Sequence, residues 1–216
     1  MVHNLSKDVS ILNQYVSEIR NVQIQNDRLR FRTNLERIGS VMAYEISKKL
    51  DYSTTEIETP LGVAHCDLLS SKVVLASIMR AGIPMHQGLL QVFDHAENAF
   101  ISAYRKHEKG GGFSIKLEYV SKPDLTDKIL ILCDPMLATG ASMGLTYKAL
   151  IQDGKPKHTH ILSAIASSEG VEYMKRNFSK SEMTIWAAAI DDELTVQSYI
   201  VPGLGDAGDL AYGKQL

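Results

Sequence analysis

The 216-residue sequence predicts an α/β fold: a mainly parallel, twisted sheet flanked by helices, with a protruding β-hairpin arm and a C-terminal segment that hoods one edge of the sheet. Three observations carry this expectation. Several short runs are apolar nearly from end to end, without the in–out alternation of a half-exposed strand. Patterns with apolar residues three and four apart lie between most of these runs, as amphipathic helices require. Polar, glycine-containing turns follow two of the runs directly, and a helical pattern begins just beyond each turn.

Taken in order, the chain starts with a helical or irregular stretch. Leu35, Ile38, Met42, Ile46 and Leu50 then form one stripe of a helix over residues 28–50, with Arg32, Glu36, Arg37, Glu45, Lys48 and Lys49 largely off it. Residues 51–60 break the pattern and are expected to be a surface connection. Residues 72–79 read as a strand covered on both faces, and Ile83-Pro84 is a favourable helix start. Residues 99–104, 128–133, 161–166 and 184–189 are further strands. Met143, Tyr147 and Leu150 mark one intervening helix, and Val171, Met174 and Phe178 another. Strands alternating with helices imply crossover connections and parallel pairing. In contrast, Phe113, Ile115, Leu117 and Tyr119 alternate with polar residues, so residues 106–122 are expected as a glycine-hinged hairpin arm rather than a core strand. Four of the 15 glycines (Gly203, Gly205, Gly208 and Gly213) fall in the tail beyond Tyr199, a density that demands a specific backbone. No repeat or linker divides the chain, so residues 1–216 are expected to form one domain.

Composition narrows the function. Lys plus Arg number 23 and Asp plus Glu 25, a formal charge of −2 that argues against a general polyanion binder; no nucleic-acid partner is expected, although a local basic patch stays open. With 44% hydrophobic and 22% charged residues, disordered and fibrous classes are excluded. No apolar run approaches the ~20 residues of a membrane helix, and residues 1–11 carry no signal pattern. The two cysteines, Cys66 and Cys133, imply no disulfide framework and suit a reducing cytoplasm.

The most informative stretch is Asp134-Pro135-Met136-Leu137-Ala138-Thr139-Gly140-Ala141-Ser142. A buried strand runs into an acid, a small-residue turn and then a helix. Hydroxyls and unobstructed backbone N–H groups at a helix N-terminus suit a monophosphate, whose charge the helix dipole favours. A carboxylate five residues before Thr139 would face sugar hydroxyls instead. The absence of Lys after the glycine excludes the common ATPase phosphate loop. The plain alternative is a strand-to-helix turn with a side-chain cap. Arg80 and Arg105 end two strands, where guanidinium groups can clamp a multiply charged anion; a lone Arg there could equally cap a sheet end. In the tail, the string Ile200-Val201-Pro202-Gly203-Leu204-Gly205-Asp206-Ala207-Gly208 exposes backbone donors and acceptors that could read a planar heterocycle edge, or could simply dock the terminus.

Taken together, these motifs resemble the uracil phosphoribosyltransferase family, a type I phosphoribosyltransferase group. The resemblance runs from about Phe31 to the C-terminus and is most specific in the tail. Departures are Ala141 for a second glycine, Ser167-Ser168 for Ala-Pro, the string Asp191-Asp192-Glu193-Leu194-Thr195, and Ile83-Pro84-Met85-His86 after the Arg-Ala-Gly. The resemblance implies transfer of a phosphoribosyl group from phosphoribosyl pyrophosphate (PRPP) to N1 of uracil, giving UMP and pyrophosphate in pyrimidine salvage. It assigns PRPP to Arg80, Arg105, Asp134–Ser142 and Asp206, and uracil to Ile200, Gly205, Asp206 and Ala207. Mg²⁺ would arrive on PRPP, with no direct protein ligand. Asp134, Arg105 and Asp206 would carry the chemistry, Asp206 being the candidate base for N1, directly or through a metal-bound water. A homo-oligomer, dimer or higher, is implied by the resemblance alone. A PRPP-sensing RNA-binding regulator, or a transferase for another base, are the rival functions.

Other features read as structural. His158 and His160 share a strand face but lack a third ligand. Cys133 adjoins the proposed site without a visible histidine partner. Asp191, Asp192 and Glu193 are expected as an exposed turn, with a place near the base pocket as the alternative, and Arg28, Arg30, Arg32 and Arg37 as a solvated helix face, with an effector or subunit contact as the alternative.

Overall fold

The computed structural model describes residues 1–107 and 113–214, with the backbone alone for 103–107 and 113–116. A short strand, β1 (Val2–Asn4), precedes α1 (Ile11–Arg20) and α2 (Arg28–Ser47). Each helix starts where the sequence supplies a cap. Ser10 and Asn13 exchange bonds in a capping box at α1, and the Asp27 carboxylate accepts the Arg30 N–H at α2. Next come β2 (Tyr52–Thr59), β3 (Gly62–Leu69), β4 (Val73–Met79), α3 (Ile83–Leu90), β5 (Glu97–His107) and β6 (Phe113–Ser121). The remaining elements are β7 (Ile129–Cys133), β8 (Met136–Leu137), α4 (Ala141–Leu150), β9 (His158–Ser167), α5 (Ser168–Asn177), β10 (Met183–Asp191), β11 (Glu193–Leu194), β12 (Ile200–Val201) and α6 (Ala207–Tyr212).

The main sheet has the order β1-β10-β9-β7-β4-β5-β6, parallel except for β6. Alternate residues of each strand feed opposite faces, and both faces are covered, which explains the uninterrupted apolar runs. Val73 and Leu75 of β4 and Ile129 and Ile131 of β7 pack with Leu35, Ile38 and Met42 of α2 and with Met85 and Leu89 of α3. Val74, Ala76, Leu130 and Leu132 point the other way, onto Met143 and Tyr147 of α4 and Met174 of α5. Each fully buried aliphatic side chain of this kind contributes about 1.5–3 kcal/mol relative to exposure.

Three expectations are corrected. Residues 51–60 are not a simple connection: β2 and β3 pair antiparallel, Tyr52 opposite Leu69 to Thr59 opposite Gly62, as a ribbon standing off the sheet. Every residue of β2 is exposed, so neither face meets a core and no hydrophobic period was there to read. The proposed arm over residues 106–122 does form a hairpin, but its second strand is also the edge strand of the main sheet, paired with β5 from Phe100–Ser121 to His107–Phe113. The turn of that hairpin lies outside the described residues. Finally, the arginines of α2 are only in part a solvated face: Arg28 and Arg30 are exposed, Arg32 and Arg37 are half-buried, and Arg30, Arg32 and Arg37 are tied to neighbours. Arg30 donates to Glu18 of α1 at 2.7 and 2.9 Å, Arg32 donates to the Ala211 carbonyl at 2.7 Å, and Arg37 donates to Asn34 and lies over the Tyr15 ring.

Glu18 therefore fastens α1 to α2, accepting also from Asn34 at 2.7 Å. Hydrogen bonds from Arg30 and Asn34 outweigh the cost of burial and hold its carboxyl at about 2, below the ordinary 4.5. Because the folded state favours the ionised form, this contribution is fully present above pH 4.5 and is lost as pH falls towards 2. Glu18→Gln should therefore flatten the loss of stability between pH 4.5 and 2, read from urea midpoints; an unchanged slope would show that Glu18 is not a source of it.

Candidate active site

β4 lies between β5 and β7, so the strand order reverses at β4 and β7 and a crevice opens beyond their carboxyl ends. Ser77 pairs with Cys133 at the last step of that ladder, which brings the residues that follow, Arg80 and Asp134, to the same edge. The turn after β4 contains a cis Met79–Arg80 peptide and is drawn in at Gly82, where an added Cβ would lie 2.6 Å from the Ile78 carbonyl and 3.1 Å from that of Cys133. The Gly82 backbone, two residues past Arg80, is thus seated directly against the end of β7.

Beyond β7 the chain stays anchored to β9. Asp134 N–H donates to the Leu162 carbonyl at 3.1 Å, and Ile165 N–H donates to the Pro135 carbonyl at 2.9 Å. Asp134 is half-buried, and its Oδ1 accepts the Met136 N–H at 3.4 Å. The Ser167 hydroxyl then donates to the Ala138 carbonyl at 2.5 Å while accepting the Gly170 N–H at 2.8 Å. One serine thereby caps α5 and fixes the turn between Asp134 and α4. Gly170 permits that approach, since a Cβ there would lie 2.3 Å from the Ala138 oxygen. Gly140, at φ +79°, starts α4 without a side-chain cap. Of the first-turn N–H groups, which no helix satisfies internally, that of Ala141 donates to the Thr139 hydroxyl at 3.4 Å; a helix start of this kind favours an anion.

The tail reaches the same edge. β11 and β12 pair antiparallel, Leu194 opposite Ile200, and a cis Val201–Pro202 peptide leads into Gly203 and Gly205. Gly205 sits at φ +93° with open space around it, so glycine is required there for backbone conformation rather than for room. Ile200, Leu204 and Ala207 are buried in the cluster that also takes Ala81 after β4 and Met136 and Ala138 after β7. Arg80 spans the junction, with Nη1 donating to the Gly213 carbonyl at 3.3 Å and Nη2 lying 3.9 Å from the Asp209 carboxylate.

Of the predicted site residues, Arg80, Asp134, the turn from Pro135 to Ser142, Ile200, Gly205, Asp206 and Ala207 are all brought to this edge. Arg105 lies in the carboxyl half of β5 with its backbone opposite Ile115; its side chain lies outside the described residues. The Asp206 carboxylate caps α6, accepting the Asp209 N–H at 2.9 Å, so it orients the tail. Asp191 corrects the expectation of an exposed turn. It is 8% exposed and hydrogen-bonds the Gly203 backbone. Ser167, Gly170 and Asp191 were the positioning residues missed. A serine before a helical pattern is a cap signal that could have revealed the first.

The remaining candidates are inert. Cys133 is fully buried, and burial followed by the neighbouring Asp134 charge pushes its thiol well above the ordinary range. His160 accepts the Trp186 indole N–H at 3.0 Å and is held neutral, at about 3, by burial and then by His158 and His3.

A parallel sheet that ends two adjoining strands in a guanidinium and in an acid–hydroxyl turn, at its switch point, has the design of a phosphoribosyltransferase. A hypoxanthine phosphoribosyltransferase from Staphylococcus aureus shares the fold, with TM-score 0.51 at 11% identity over 86% of this chain and 83% of its own. The AQ2163 protein from Aquifex aeolicus matches over 100% of both chains, with TM-score 0.88 and 28% identity. The family model for uracil phosphoribosyltransferase matches residues 6–214. A uracil phosphoribosyltransferase from Porphyromonas gingivalis is 57% identical over 215 residues, 100% of this chain and 99% of that protein. The chain belongs to the uracil phosphoribosyltransferase family.

Two outcomes follow from this geometry. Gly170→Ala should displace the 138–140 turn and lower the melting temperature by roughly 2–12 °C, the range for overpacking a chain of this size; an unchanged melting temperature would mean that the turn yields freely. A thiol reagent should label half-buried Cys66 in the native protein and leave Cys133 untouched until unfolding, whereas native labelling of both would contradict the packing around β7.

Proposed function

We propose that the protein transfers the 5-phosphoribosyl group of PRPP to N1 of uracil, releasing pyrophosphate and giving UMP. The meeting of Arg80, the turn after β7 and the tail at one sheet edge is the observation that carries this reading. The N1–C1′ bond forms as the bond from C1′ to the pyrophosphate oxygen breaks, and the N1 proton leaves to a base or to water. A sugar centre of this kind passes through an oxocarbenium-like state, so the protein's task is to place the reactants and to stabilise charge.

In this reading the first-turn amides of α4, with Thr139 and Ser142, hold the 5′-phosphate. Asp134 accepts from the ribose hydroxyls, close to the developing positive charge. Arg80 and Arg105 take the pyrophosphate oxygens. Asp209 and the Gly213 carbonyl hold the Arg80 guanidinium at the junction. Ile200 closes one side of the uracil site, and the backbone around Gly205 and Ala207 reads the heterocycle edge. Asp206, already oriented by its cap, stands between the base and PRPP and is the candidate acceptor for the N1 proton. Mg²⁺ enters on PRPP as part of the substrate and neutralises pyrophosphate.

Uridine nucleotide made from a free base is the chemistry of pyrimidine salvage. Self-association belongs to the same proposal. The β2–β3 ribbon places Ile57, Leu61, Val63 and Leu68 in water, and an isolated two-stranded ribbon is at best marginally stable. A second copy of the chain would cover it. No helix among the described residues is long and apolar enough to cross a membrane.

Purified protein with uracil, PRPP and Mg²⁺ should yield UMP and pyrophosphate, and cytosine in place of uracil should not react; turnover of cytosine or of a purine would overturn the base assignment. Asp134→Ala should retain the fold and lower turnover by at least about tenfold, and Arg105→Ala should raise the PRPP requirement more than the uracil requirement. Unchanged turnover in the first, or a defect confined to uracil in the second, would contradict the assigned roles.

A further inference from the structure

Recognition of a heterocycle by backbone groups alone sets a demand that side-chain recognition does not. The peptide planes must be fixed, because no rotamer can compensate for a tilted N–H or carbonyl. In the tail, one end of the 203–207 segment is fixed by Asp206 capping α6. The other end is held by a pair that lies outside the family motifs read from the sequence.

Arg20, the last residue of α1, and Asp191, the last residue of β10, form a two-pronged ion pair: Nη1 to Oδ2 at 2.7 Å and Nη2 to Oδ1 at 2.7 Å. Both partners also bind one peptide unit of the tail. Asp191 Oδ2 accepts the Gly203 N–H at 2.9 Å, and Arg20 Nη1 donates to the Gly203 carbonyl at 2.9 Å. Glycine 203 therefore has both backbone groups taken by opposite charges, in a closed ring of hydrogen bonds. Its left-handed φ of +54°, and the 2.1 Å that would separate an added Cβ from the Ile200 carbonyl oxygen, show how tightly the turn is folded there. Burial raises the Asp191 carboxyl, but the bonds from Arg20 and Gly203 and the Arg20 charge outweigh this and keep it ionised below the ordinary carboxylate range.

We propose that Arg20 and Asp191 are positioning residues for uracil: a partly buried ion pair that grips the Gly203 peptide and so sets the orientation of the backbone groups that read the base. This rests on the reading of residues 200–207 as the uracil segment. A planar guanidinium fork suits the task, since a lysine could not serve the carboxylate and the carbonyl in one plane.

Steady-state kinetics of Asp191→Asn and Arg20→Lys test this, with melting temperatures measured alongside. The expected result for Asp191→Asn is a rise in the uracil KM of about tenfold or more, with the PRPP KM within about twofold of the parent. Arg20→Lys, which keeps the charge but not the fork, should show a smaller rise in the same direction and decides the matter if Asp191→Asn does not fold. Uracil and PRPP constants rising together, in step with a lost melting temperature, would show a merely structural pair and overturn the proposal. Gly205→Ala separates the proposal from the reading beneath it, because the change strains the φ +93° backbone in otherwise open space. An unchanged uracil KM in Gly205→Ala refutes the tail as the base segment, and the proposal with it. A raised uracil KM in Gly205→Ala but not in Asp191→Asn or Arg20→Lys refutes the positioning pair alone.

Discussion

Parallel pairing of β4 with β5 on one side and β7 on the other is the constraint on which the rest depends. Parallel strands put every carboxyl end on one edge, and the reversal of strand order at β4 and β7 leaves that edge open. Arg80 and Asp134 are 54 positions apart by their numbers, yet they follow strands that pair as far as Ser77 opposite Cys133. The tail has no place in the sheet and is brought in by other means. It contributes Ile200, Leu204 and Ala207 to the core cluster on the α2 side, and Arg80 and Arg32 bind its far end.

Much of this was legible in the sequence where burial imposes a period. β4, β7, β9 and β10 are covered on both faces and read as unbroken apolar runs, and the stripe from Leu35 to Leu50 gave away α2. The turn from Asp134 to Ser142 stood out because an acid, hydroxyls and a glycine follow a strand and precede a helix. What escaped notice has no such period. β1 is three residues long, and β2 meets no core on either face. The charged residues were the harder lesson. Asp191 sits in an acidic run that reads as a solvated turn, and its partner Arg20 is 171 positions away, so nothing local announces that Asp191 is buried and paired.

The positioning of the site follows a consistent division of labour. Groups that would touch a ligand are backbone amides, hydroxyls and charged tips at strand ends, whereas groups that hold them are polar residues tied to peptide units. Ser167 ties the Ala138 carbonyl to the start of α5, Asp206 caps α6, and Asp191 with Arg20 holds Gly203. Each of these contacts binds a loop to a regular element, which is how a site built mostly from loops can keep a fixed geometry.

A crystal structure with UMP bound tests the central claim most directly, because the product spans all three segments at once. The expected density has the phosphate on the Thr139–Ser142 turn, the ribose hydroxyls at Asp134, and the uracil ring between Ile200 and the Gly205–Ala207 backbone. A base bound away from the tail, with the phosphate still on that turn, would contradict it.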